Sequence, residues 1–132
     1  MKKLICLLLG LTAICAAQTL PDHPIIVKRL VLKDQTQLLG ALTAPVEIYR
    51  PTSNGFYRMT MYAAATGTQA VELCGAYLPN RSTLCAISNG YDESAVVSFF
   101  VQAGQPIGFF TSMYEGTLTG SYDLVIVLEL LI

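Results

Sequence analysis

The amino-acid sequence predicts an all-β protein, an antiparallel two-sheet β-sandwich of about eight strands. Three observations carry this expectation. β-Branched and aromatic residues arrive in short runs, Gly, Pro, Asn and Asp separate the runs roughly every 8–12 residues, and no long stretch repeats apolar residues at helical spacing.

The first element is a leader rather than part of the fold. Lys2 and Lys3 give a positive start, Leu4 to Ile14 is apolar apart from Gly10 and Thr12, and the small residues Ala16 and Ala17 close the run before Gln18. The run is shorter than the roughly 20 residues of a membrane span and polar sequence follows it, so no integral span is expected in the mature chain. Residues 1–17 therefore read as a signal peptide and 18–132 as a single β-sandwich domain. Lipid attachment at Cys15 is the alternative, disfavoured because Ile14 stands where a small residue is usual and Thr12 where Leu is usual. The expected location is outside the cytoplasm: secreted, periplasmic, or at the cell surface.

The strands follow in order. Ile25–Leu32 is the first candidate, Gln35–Leu42 the second and Val46–Tyr49 the third, before the turn Thr52-Ser53-Asn54-Gly55. Phe56–Ala64 reads as a central strand: Phe56, Arg58, Thr60 and Tyr62 fall on one side, and Tyr57, Met59, Met61 and Ala63 on the expected core side. Val71–Leu78 and Thr83–Ser88 form a hairpin around Pro79-Asn80, and Asn89-Gly90 turns into the nearly all-apolar Ala95–Val101. Gln102 to Pro106 turns into Ile107–Met113, and a Gly-punctuated loop leads to Ser121–Leu131. That last strand is apolar on both sides, which places it inside a sheet.

Cys6 and Cys15 lie in the leader, leaving Cys74 and Cys85 for an oxidising compartment. A tight hairpin about Pro79-Asn80 puts them on facing positions, so one structural disulfide is expected. Their spacing is not Cys-x-x-Cys and no His lies near in sequence, which disfavours redox or metal chemistry.

Two of the eight Lys and Arg belong to the leader, so six remain against nine acidic residues, a balance of about −3. Only Lys28, Arg29 and Lys33 cluster, too few cations for nucleic acid or an anionic membrane surface. Catalytic groups are equally sparse. His23 sits in the leading arm Pro21-Asp22-His23-Pro24, where an exposed, idle imidazole outweighs a triad. Asp92-Glu93 follows Asn89-Gly90-Tyr91 and reads as a solvated turn, while Glu47 with Glu72 is a carboxylate pair with nothing to fix its separation. No enzyme activity, cofactor or metal is expected. A sugar platform is the alternative function, with Tyr91 and Tyr114 as the loop aromatics that would stack on it.

One positive signal remains. Ala95–Val101 and the last strand are apolar on both sides, whereas a small sandwich buries one face of each sheet, so the surplus implies contact with another subunit. The chain is expected to be a homo-oligomer, with a surface glycan or another protein as the other partner class.

Three stretches carry a family resemblance spanning about Leu32 to the C-terminus. They are Ile48-Tyr49-Arg50-Pro51 through Asn54-Gly55-Phe56-Tyr57-Arg58 into Met59-Thr60-Met61; Ser94–Val101 with Gln102-Ala103-Gly104-Gln105-Pro106-Ile107; and Tyr122 to Leu130. In this order they resemble the jelly-roll superfamily of the complement globular head and the tumour-necrosis-factor cytokines, with similar bacterial and phage surface sandwiches. The resemblance implies a jelly-roll-like β-sandwich, non-catalytic recognition, and trimers whose apolar sheet faces meet at an axis. The chain departs from the family at Gln105, where Asp is usual, so no calcium site carries over.

Overall fold

A computed structural model describes residues 23–66, 71–77, 82–88, 93–113 and 116–132. The leader, residues 1–17, lies outside the described residues. Eight strands occur among those described: β1 (Ile25–Gln35), β2 (Val46–Tyr49), β3 (Gly55–Thr66), β4 (Val71–Tyr77), β5 (Ser82–Ser88), β6 (Glu93–Val101), β7 (Ile107–Met113) and β8 (Ser121–Leu130). They form two four-stranded sheets, ordered β1-β8-β3-β6 and β2-β7-β4-β5, in which every named pairing is antiparallel. This is the two-sheet sandwich that the sequence predicts.

The period-2 pattern of the two central strands explains the core. Tyr57, Met59, Met61 and Ala63 of β3 and Tyr122, Leu124, Ile126 and Leu128 of β8 are almost fully buried, and Ile107 and Phe109 of β7 close on them from the other sheet. Strand β8 lies between β1 and β3, as its two apolar sides require.

One expectation needs correction. Gln35–Leu42 is not a second strand; β1 runs on to Gln35 and the chain then loops to Val46. Asp34 has φ 50°, and the β1–β8 register shifts between Leu32 and Gln35, so the strand ends in a bulge. Gly40 then takes φ 64°, and Ala41 and Ala44 exchange backbone hydrogen bonds in a tight turn.

A buried polar chain holds this loop to both sheets. The Leu39 N–H donates to Thr111 Oγ1 at 2.7 Å, Thr111 Oγ1 lies 3.1 Å from the Tyr122 hydroxyl, and that hydroxyl donates to the Gln37 carbonyl at 2.9 Å. Burial pushes the Tyr122 phenol above its ordinary pKa, while the Thr111 contact acts the other way. Tyr122→Phe keeps the ring and leaves the Gln37 carbonyl without its donor. It is expected to cost about 1–3 kcal/mol, read as a lower urea midpoint at unchanged slope.

Candidate interaction surface

The outward side of the β1-β8-β3-β6 sheet carries the residues left over after the core is filled. Because β3 alternates, burying Tyr57, Met59 and Met61 forces Phe56, Arg58, Thr60 and Tyr62 outward. The register then aligns their neighbours in rows across the sheet. Phe56 faces Phe100; Glu129, Arg58 and Ser98 form the next row behind Ile26; Val127, Thr60 and Val96 form the third; Val31, Val125 and Tyr62 stand in the fourth. Ile26 (61 % exposed), Val31 (47 %), Phe56 (44 %), Val96 (58 %) and Phe100 (42 %) are large apolar residues left in water on one face, which scattered surface hydrophobes do not produce. The rings of Phe56 and Phe100 meet at 5.2 Å in a tilted contact.

Two pairs of charges on this face are closed within the chain. Arg58 Nε donates to Glu129 Oε2 at 2.6 Å, and Lys33 pairs with Asp123, which also accepts the Asp34 N–H at 3.0 Å. The hydrogen bond from Arg58 holds the Glu129 carboxyl below its usual range, and that from Lys33 does the same for Asp123. Arg29, opposite Val127, sits on the edge strand, where a long side chain reaches water at the rim.

The remaining candidate residues fall elsewhere. The β4–β5 register sets Cys74 directly opposite Cys85, the alignment expected of the hairpin, but their side chains lie outside the described residues. Tyr91, Tyr114 and Asp92 also lie outside them, as do the side chains of Glu72 and Glu93. His23 is exposed, and Glu47 is ion-paired with Arg50, whose guanidinium also donates to the Gly104 carbonyl. Among the described residues no three of His, Cys, Asp and Glu gather as metal ligands, and no helix is long and apolar enough to cross a membrane. The Arg58–Glu129 pair was not singled out in sequence, although Glu129 at an outward position of an apolar strand is a signal that it needs a cation beside it.

No protein-family profile matches the sequence, and no curated protein matches it. Among solved structures, the globular domain of zebrafish complement 1qA protein aligns over 79 % of this chain and 95 % of its own, with a TM-score of 0.52 at 13 % identity. The fold is the jelly roll of the complement globular head. At that identity the likeness speaks for architecture alone.

Proposed function

We propose that this chain is an exported, non-catalytic interaction module that assembles with copies of itself through the outer face of the β1-β8-β3-β6 sheet. The observation that carries the reading is the run of exposed apolar side chains on that face, from Ile26 and Val31 on one edge strand to Val96 and Phe100 on the other. A second copy suits it better than a charged partner, because both ion pairs on the face are closed internally and offer no net charge to read. Its size also suits: four strands about 4.8 Å apart and roughly nine residues long project ~550 Å², and more as accessible surface, against the ~800 Å² per partner of an ordinary stable interface.

Export rests on the leader, residues 1–17, with 18–132 as the mature domain. A Cys74–Cys85 disulfide fits the same compartment, since directly opposed antiparallel residues have Cα separations of about 4.5–5.5 Å and a disulfide accepts about 4.4–6.8 Å. The resemblance of this chain's strand and turn stretches to the complement globular head implies recognition rather than catalysis. Sugar binding through Tyr91 and Tyr114 is the second reading, and it rests on their loop positions in the sequence.

Light scattering on the purified mature chain tests the proposal. It is expected to show an oligomer at micromolar concentration that dissociates on dilution, whereas a strict monomer across that range overturns self-assembly.

A further inference from the structure

Of the four rows from Phe56–Phe100 to Val31–Val125–Tyr62, one alone carries charge on the two central strands. Arg58 and Glu129 occupy that row on the two central strands, between Phe56 and Phe100 on one side and Val127, Thr60 and Val96 on the other. A partner that covers both flanking rows covers the pair as well. The Glu129 side chain is already only 17 % exposed and Arg58 39 %, so docking would finish a desolvation that the fold has begun.

We infer that the Arg58–Glu129 pair is the determinant of self-association on this face, admitting a second copy only while the two charges are matched. The inference rests on the self-assembly reading above. An ion pair closed by a direct hydrogen bond enters a dry contact as a neutral unit, whereas removal of either member leaves a lone charge that the contact must bury. Because each copy brings the same face, a symmetric contact buries two such lone charges. The pair therefore acts against partners as well as for one: a copy with a broken pair is excluded although its apolar rows are intact.

Sedimentation equilibrium on the mature chain and three variants tests this. Glu129→Gln preserves shape and is expected to raise the dissociation constant by on the order of 100-fold, and Arg58→Gln by a similar factor. The swapped protein, Arg58→Glu with Glu129→Arg, is expected to return within about tenfold of wild type. Circular dichroism on the same samples establishes that each variant is folded, and either folded single variant suffices for the decision. Wild-type self-association with unchanged dissociation constants in the single variants overturns the charge-pair inference and leaves the assembly reading standing. A wild-type chain that stays monomeric overturns both.

Discussion

Ile126→Ala is expected to cost about 3–4 kcal/mol of stability. Ile126 is about 1 % exposed on the inner side of β8, set between Leu30 of β1 and Met61 of β3. Truncation removes three carbons from a site enclosed by the two central strands and by β7 of the facing sheet, so little can move in to fill the void. Against a total of about 5–15 kcal/mol for a domain, the loss leaves a marginal fold. Urea denaturation followed by circular dichroism measures it; a loss under about 1 kcal/mol would mean that Ile126 is not in the core.

Val125→Asp, one residue earlier, is expected to give the opposite result. Val125 points outward between Val31 and Tyr62, with Asp123 two positions away and already committed to Lys33. In a single copy the new carboxylate stays in water, and the fold should lose no more than about 1 kcal/mol from the poorer strand propensity of Asp. In an assembly it would be buried without a cation, and each copy would contribute one. The dissociation constant should rise at least ~100-fold, which gives a folded monomer at concentrations where the parent protein is assembled. Sedimentation velocity with a thermal melt on the same sample separates these effects. A Val125→Asp protein that assembles normally removes this face from the contact.

The contrast between adjacent residues shows why so much of this fold is legible in the sequence. In β3 the two sides of the strand differ residue by residue, so Tyr57, Met59 and Met61 declare the core before any contact is known, whereas β8 is apolar on both sides and declares only its place inside a sheet. Alternation failed where backbone geometry overrode it. Gln35–Leu42 has the composition of a strand, but Asp34 and Gly40 adopt positive φ, and the loop is held by Thr111 and Tyr122, over 70 residues away in the chain. The proposed interaction surface was legible as a surplus and not as a place. Both apolar sides of the last strand signalled a partner, whereas the Arg58–Glu129 pair joins residues 71 apart and exists only once β3 and β8 are in register. Tyr91 and Tyr114 had composition alone behind them, with no pairing pattern to fix their place.

The central claim concerns which surface meets the second copy, and hydroxyl-radical footprinting across the concentration range of assembly reads it directly. Phe56 and Phe100 are reactive, exposed and central to the claim, while Leu38 and Leu42, equally exposed on the β1–β2 loop, provide an internal control. Labelling of Phe56 and Phe100 is expected to fall as the oligomer forms while that of Leu38 and Leu42 stays constant. Oxidation of the two phenylalanines that does not change as the protein assembles would contradict the account.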